Sequence, residues 1–238
     1  MLESLSPQQN HLLATLPDDV KQRLFPSLEA VTLPLGEVLQ QSGKTTHYAY
    51  FPTTCIVSLV YELQSGHSAE ISLVGNDGMV GIALFMGGQT AVGKGLVQVA
   101  GEAFRIDEAL FLEEFERHAG LMHHVLLYTQ ALMTQMAQTA VCNRHHSVQQ
   151  QLCRWLLMSL DRLSSNQLVM THDLIASMLG VRREGVTEAA GKLHRLGAIN
   201  YHRGRIEVID RAKLEQLSCE CYAVVRNEIS RLLPGGPS

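Results

Sequence analysis

The segment THDLIASMLGVRREGVTEAAGKLHRLG, residues 171–197, predicts two short helices joined by a tight corner. Thr171 suits the N-cap of a first helix ending near Met178, because its hydroxyl can accept a hydrogen bond from a free amide of the first turn. Gly180 allows the positive φ with which a helix commonly ends, and Gly197 marks the end of the second helix. Two helices joined by a short glycine-containing turn form a helix-turn-helix, whose second helix enters the DNA major groove.

The second helix is expected from about Arg182 to Leu196, with one apolar and one polar face. The apolar face consists of Val186, Ala189, Ala190, Leu193 and Leu196. The polar face of the first turns carries the candidate base-reading residues Arg183, Glu184, Thr187 and Glu188. Arginine donates two bonds to guanine and glutamate accepts from cytosine N4, so these residue types suit direct base readout.

Residues 198–210, AINYHRGRIEVID, predict two short strands around a turn at Arg203 and Gly204. A β-hairpin with a basic tip, placed after a helix-turn-helix, forms a wing that can touch phosphates. The candidate phosphate contacts are Thr171, Arg182, Lys192, His202, Arg203 and Arg205. The two helices alone are equally compatible with an ordinary helical hairpin, and the wing favours DNA binding.

Residues 168–210 resemble the winged helix-turn-helix of the Crp/Fnr family of bacterial transcription regulators. The strongest local match is VRREGVT, residues 181–187, because the family's recognition helix often opens with a small residue, then Arg-Glu, then a buried Val. The resemblance implies that Arg183 and Glu184 are the base-reading pair. Glu188 stands where the family often has another arginine, which puts the family's base preference in doubt.

The charge of the chain is divided unevenly. The whole sequence has 19 Lys and Arg against 23 Asp and Glu, a net charge of −4. Residues 1–140 hold six basic and fourteen acidic residues, a net charge of −8, whereas residues 171–213 hold eight basic and five acidic residues, a net charge of +3. The basic balance therefore coincides with the groove-binding element, as expected of a nucleic-acid module joined to an acidic partner domain.

Residues 28–107 consist of short β-rich runs separated by glycines, a pattern that predicts an all-β sandwich or barrel. The predicted strands include AVTLPL, HYAYFP, CIVSLVYEL, AEISLVG, MVGIALF, GLVQVAG and EAFRID. Gly36, Gly43 and the stretch from Tyr48 to Pro52 resemble the opening of the cyclic-nucleotide-binding β-roll of the same family. The fold class is therefore α+β: an N-terminal jelly-roll β-domain, a long dimerisation helix and a C-terminal winged helix-turn-helix.

The effector cassette departs from the family pattern. The family uses a glutamate for the ribose hydroxyl and an arginine for the cyclic phosphate. Here Ile82 stands in place of the glutamate, and Thr90 and Ala91 in place of the arginine pair. We therefore expect that an effector, if one binds, is a small molecule other than cyclic AMP, and the sequence does not identify its binding residues. The alternative is a dimer that regulates through DNA binding without an effector.

No cofactor or metal is expected, and haem is the alternative that the histidines leave open. The histidines in or beside the effector domain are His47, His67, His118, His123 and His124. Cys142, with His145 and His146, could hold a metal if Cys153 joined them, but such a group more often marks a helix end whose dipole favours cations. Cys219-x-Cys221 is too isolated in the sequence to indicate a site.

Residues 120–143 predict one long helix with two apolar stripes, which need two partners. One stripe contains Leu121, Val125, Tyr128 and Leu132. The heptad-like stripe, which we assign to a homodimer interface, contains Met122, Leu126, Thr129, Met133, Met136 and Ala140. The alternative to the dimer is a plain buried helix in a monomer. Residues 143–147, NRHHS, are predicted to end this helix and to form a hinge.

The expected domains are a β-domain at 1–119, a dimerisation helix and hinge at 120–146, and a DNA-binding domain at 147–238. The N-terminal residues lack the pattern of a secretory signal and no long apolar run is present, so we expect a cytoplasmic protein with no membrane partner. Double-stranded DNA, a second copy of the chain, an effector and RNA polymerase are the candidate partners. The alternatives to a DNA-binding regulator are a ligand-binding regulatory protein with no direct DNA role and an enzyme, and we see no catalytic motif that supports the latter.

Overall fold

A computed structural model describes residues 5–91, 93–117, 120–202 and 204–233, and shows an α+β chain. The strands are β1 Glu29–Leu33, β2 Val38–Gln40, β3 Tyr48–Pro52, β4 Ile56–Glu62, β5 Ser68–Val74, β6 Lys94–Val99, β7 Gly101–Asp107, β8 Gln167–Val169, β9 Ile199–His202 and β10 Arg205–Val208. The helices are α1 His11–Ala14, α2 Asp18–Leu24, α3 Glu108–Glu116, α4 Gly120–His145, α5 Val148–Leu160, α6 His172–Leu179, α7 Arg183–Arg195, α8 Arg211–Leu217 and α9 Glu220–Leu232. Single 3₁₀ turns occur at Pro7–Gln9, Phe25–Ser27 and Ile82–Leu84.

The N-terminal region is a β-sandwich, as predicted. One antiparallel sheet has the strand order β1-β7-β3, and the other has the order β2-β6-β4-β5. Their inner residues, such as Phe51, Phe104 and Val97, belong to one apolar core that also takes in the first half of α4. This core positions α4 directly against the β-domain.

Two local predictions in the β-domain need correction. MVGIALF was predicted to be a strand, but Gly81 has φ +111° and residues Ile82–Leu84 form a 3₁₀ turn. The left-handed backbone at Gly81 interrupts the extended conformation, so only Val80 forms an isolated bridge, with Tyr50. Helix α3 was not predicted. The Asp107 carboxylate caps it by accepting a hydrogen bond from the Ala109 amide.

Helix α4 is longer than predicted. It continues to His145, so the break before α5 lies at His146 and Ser147 rather than at Asn143. Ser147 and Gln150 form a reciprocal capping box at the start of α5, which fixes this break locally. The two long helices are therefore joined by only two residues.

The two apolar stripes of α4 have different environments. Leu121, Val125, Tyr128 and Leu132 are buried within the chain. Of the heptad-like stripe, Leu126, Met133 and Ala140 are exposed, Met122 and Met136 are half-buried, and Thr129 is buried. Thr129 and Met136 turn towards the β-domain, so the surface left open on α4 is narrower than the sequence pattern suggested.

The C-terminal region is built around α5, which is almost wholly buried between α7, α8 and the β-domain. Two buried polar contacts join it to the β-domain. The Trp155 indole donates to Glu70 Oε1 at 3.0 Å, and Arg162 Nη2 lies 2.6 Å from Asp77 Oδ2. Among the described residues, none of the helices combines the length and apolar character that a membrane-spanning segment needs.

Candidate nucleic-acid interface and effector cavity

The helix-turn-helix consists of α6 and α7. The Thr171 hydroxyl accepts from the Leu174 amide at 3.2 Å and caps α6, and Gly180 ends it with φ +65°. Val186, Ala189, Ala190 and Leu193 form the buried face of α7. Leu196, predicted on that face, instead follows the last helical residue and is 42% exposed.

The open face of α7 carries all four candidate base-reading residues. Arg183, Glu184, Thr187 and Glu188 are exposed and lie in its first two turns. The guanidinium of Arg183 forms an exposed ion pair with Asp173 at 3.5 Å. An exposed pair of this kind contributes little stability, so Arg183 can leave Asp173 for a base edge at small cost.

His172 was missed by the sequence analysis and connects three elements of the DNA-binding domain. Its Nδ1 lies 3.0 Å from Thr187 Oγ1 on α7, and its ring stacks on Tyr201 of β9 at 4.1 Å between centroids. The Thr187 hydroxyl donates to the Arg183 carbonyl at 3.1 Å, so it accepts from His172 and places the proton on Nδ1. Burial lowers the pKa of His172, and the nearby Arg183 guanidinium lowers it further. The sequence signal that could have identified His172 is its position directly after the N-cap residue Thr171.

The wing is present as predicted, with β10 between β8 and β9. The carbonyl of Gly204 accepts from the Met170 amide at 2.7 Å, which ties the wing turn to the start of α6. Of the candidate phosphate contacts, Thr171, Arg182, Lys192, His202 and Arg205 are all exposed. Arg203 lies outside the described residues.

A cavity of about 350 Å³ lies between the β-domain and α4. Both stretches of the degenerate cassette line it, through Ile82, Thr90 and Ala91. The remaining wall is mainly apolar and is formed by Gln40, Leu59, Ile71, Met79, Val80, Gly81, Ala83, Met86, Gly88, Gly93, Thr129, Leu132, Met133 and Met136. No charged side chain and no histidine line the cavity among the described residues, so nothing there resembles a phosphate clamp or an imidazole ligand.

Comparison with known proteins places both regions in one architecture. Residues 150–217 match the family model of the Crp-like helix-turn-helix domain. The chain has the fold of the Crp/Fnr transcription regulators. A proposed Crp/Fnr-family regulator from Eubacterium rectale aligns at 15% identity and TM-score 0.67 over 87% of this chain and 96% of that chain. Identities this low establish the shared fold, and no curated protein matches the sequence.

Two further structures with the Crp/Fnr fold illustrate its range. The c-di-GMP-responsive global regulator CLP of Xanthomonas campestris aligns at 15% identity and TM-score 0.64, over 81% of this chain and 99% of that chain. TTHB099, a Crp-family transcriptional regulator of Thermus thermophilus, aligns at 19% identity and TM-score 0.64, over 79% and 96%. The predicted resemblance and fold class are thereby confirmed.

Of the histidines named as alternative haem ligands, the four that the structure describes lie apart from the cavity. His47 pairs with Glu108 at 3.8 Å, His67 contacts Ser65, and His124 Nδ1 contacts the Gly120 carbonyl at 2.7 Å. His123 is exposed, and His118 lies outside the described residues. The structure thus gives these histidines local partners or a solvent-exposed position.

The cysteines group differently from the sequence expectation. Cys142 and His146 lie beside Cys219 and Cys221, with all four candidate ligand atoms within 4.8 Å of one another. Cys153 lies outside this group, and His145 is exposed. Cys219-x-Cys221 looked isolated because its partners lie more than seventy residues earlier, and only the packing of α9 along α4 brings them together.

Proposed function

We propose that the chain is a cytoplasmic transcription regulator that binds a palindromic operator as a homodimer. The observation that carries this proposal is the exposed polar face of α7, which is flanked by a basic wing and carries Arg183 at its start. A dimer would place its two α7 helices in successive major grooves, about 34 Å apart. Arg183, Glu184, Thr187 and Glu188 then face base edges, while Thr171, Arg182, Lys192, His202, Arg203 and Arg205 face phosphates.

The open stripe on α4 supports the dimer. Leu126 is 50% exposed, Met133 is 63% exposed, and Ala140 follows at the same seven-residue spacing. This spacing lets two copies of a helix pack side by side. Leu126→Glu should convert the dimer into a monomer in light scattering and lower operator affinity at least about 100-fold, since two half-sites no longer bind together.

Leu35→Glu is the matched control, because Leu35 is 60% exposed and lies between β1 and β2 of the β-domain rather than on α4. This variant should remain dimeric and bind DNA normally. A Leu126→Glu protein that stays dimeric would show that α4 is not the interface.

Base readout is tested by Arg183→Ala. Loss of a bidentate contact should cost about 1–3 kcal/mol at one base position and relax specificity there, as measured by binding to a set of operator variants. Arg205→Ala should weaken all sequences alike, because a phosphate contact carries no base information. Arg117→Ala, which removes a charge from the β-domain, is the neutral control. Unchanged relative affinities in Arg183→Ala would contradict the base-reading role.

We further propose that the cavity holds a small, uncharged, mainly apolar effector. The wall offers amide and hydroxyl groups from Gln40, Thr90 and Thr129 but no cation for a phosphate. Titration calorimetry should therefore detect no saturable binding of cyclic AMP. Protein purified from its native host should carry an additional small mass without a Soret band, and a Soret band would instead identify haem.

The cavity assignment has its own test. Ala83→Phe fills the cavity wall, whereas Ala100→Phe adds the same ring at an exposed turn. The first variant should lose the co-purified molecule and the second should retain it. Equal retention would place the effector elsewhere.

A further inference from the structure

Four potential metal ligands converge where α4 ends and α9 begins. Cys142 lies in the last turn of α4, His146 follows that helix, Cys219 precedes α9 and Cys221 lies in its first turn. The Sγ atoms of Cys142 and Cys219 are 3.5 Å apart, and Cys221 Sγ is 3.6 Å from His146 Nδ1. The three cysteines are buried and the histidine is half-buried.

These separations suit one tetrahedral ion. With Zn–S bonds of about 2.3 Å and a Zn–N bond of about 2.0 Å, the edges of a tetrahedron are roughly 3.5–3.8 Å. Both contacts agree with those edges, and all four ligand atoms lie within 4.8 Å of one another. A disulfide would need the two sulfur atoms about 2.05 Å apart, and all five cysteines of the chain are free thiols.

The surroundings of the cluster also suit a metal. His146 Nε2 lies 3.3 Å from the carboxylate of Glu220, which leaves Nδ1 directed at the sulfur atoms. Metal-binding histidines commonly donate their second nitrogen to such a carboxylate, which fixes the ring orientation. The geometry therefore assigns the ligand atom as well as the ligand.

Arg154 supplies a second, independent observation. Its side chain is 4% exposed, and its Nε has no hydrogen-bond partner. Its Nη1 donates to the Thr139 hydroxyl and the Met158 sulfur, and no carboxylate lies within 4.0 Å of it among the described residues. Zn²⁺ bound by three thiolates and a neutral imidazole has a net charge of −1. The positive charge of Arg154 acts on Cys142 and Cys221, as well as on the buried Glu70, so it would partly offset the charge of such a complex.

We propose that Cys142, His146, Cys219 and Cys221 bind one Zn²⁺ ion through three Sγ atoms and His146 Nδ1. Thiolate-rich sites of this geometry select zinc, and four protein ligands leave no open position, so the site is structural. The ion joins the break between α4 and α5 to the start of α9. It therefore holds the DNA-binding domain against the helix that carries the candidate dimer surface.

The proposal is tested on the full chain, kept reduced, loaded with Zn²⁺ and desalted before elemental analysis. We expect about one zinc per chain, and the Co²⁺-loaded protein should show thiolate-to-cobalt charge-transfer bands and the visible bands of a tetrahedral ion. Cys142→Ser should lose the stoichiometric zinc, whereas Cys153→Ser, which changes a buried cysteine outside the cluster, should keep it.

Because Cys142→Ser could lose zinc through misfolding, a second variant that keeps all four ligands is also needed. Glu220 is 76% exposed, so Glu220→Gln should fold normally while its zinc affinity falls roughly 10- to 100-fold, as measured by competition with a chelator. The proposal is overturned if the reduced wild-type chain binds no zinc, if both cysteine variants retain it equally, or if Cys142 and Cys219 form a disulfide in the zinc-loaded protein.

Discussion

The exposed face of α7 and the cavity between α4 and the β-domain differ in their polar groups. The first two turns of α7 keep an arginine, two glutamates and a threonine in solvent, whereas the cavity wall has no charged side chain among the described residues. Both regions belong to the same Crp/Fnr fold. Within this one fold, the exposed face of α7 therefore offers charged groups, whereas the cavity offers an apolar wall.

The largest difference in unfolding free energy is expected between two variants that each gain one lysine, one in the cavity wall and one on the exposed face of α7. Leu132→Lys puts an amine into the buried cavity wall and should cost about 3 kcal/mol or more of unfolding free energy, because burial removes the ammonium from water. Glu188→Lys should change stability by less than about 0.5 kcal/mol and should strengthen non-specific DNA binding. Denaturant unfolding and salt-dependent binding measure the two effects. Equal unfolding free energies of the two variants would contradict the assignment of a buried apolar cavity wall and an exposed polar face of α7.

The next largest change in unfolding free energy is expected at Glu70, a buried carboxyl on β5 that contacts Trp155 of α5. Burial raises its pKa from 4.5 to about 7, although Ser58 at 2.5 Å and Trp155 donate to it. The unfolded chain releases this proton near pH 4.5 and the folded chain holds it until pH 7, so stability falls as pH rises through that window. Glu70→Gln should remove this fall and stabilise the chain above pH 7 by an amount on the order of 3 kcal/mol.

The control for Glu70 is Glu62→Gln, at the exposed end of the neighbouring strand β4. Its unfolding free energy should follow the wild-type pH profile. If Glu70→Gln also retains the wild-type slope between pH 4.5 and 7, another group produces the pH dependence.

The smallest effect is expected at His172. His172→Ala removes the Thr187 contact and the stacking on Tyr201, and should weaken operator binding by about 1 kcal/mol, roughly fivefold. Tyr61→Ala, which truncates an exposed aromatic ring on the β-domain, is the control. Unaltered operator affinity in His172→Ala would limit the histidine to a role in folding.

The DNA-binding domain was the more predictable region, because local signals determine it. Thr171, Gly180 and the apolar spacing of α7 place both helices to within a residue or two. Leu196 was misplaced, since the helix ends one residue earlier and turns its side chain outward. Such an error is typical of helix ends, where the pattern gives no constraint.

The less predictable features depend on contacts between distant residues. The sequence did not identify the cavity wall. The cassette positions Ile82, Thr90 and Ala91 lie in that wall because of how α4 packs on the β-domain. The Cys–His cluster joins residues 142 and 219, whose proximity depends on α9, an element without a distinctive sequence signal. The strand predicted at MVGIALF failed because one positive φ at Gly81 overrides its β-forming composition.

Sequence-specific DNA binding by a dimer is tested most directly by selecting operator sites from random DNA. The selected site is then used to measure affinity at several salt concentrations. We expect a palindromic site with half-sites one helical turn apart, and a logarithm of the binding constant that falls linearly with the logarithm of the salt concentration. Arg183→Ala should lose preference at one symmetric base position only. Enrichment of no common site, together with binding that does not depend on salt, would contradict sequence-specific binding by a dimer.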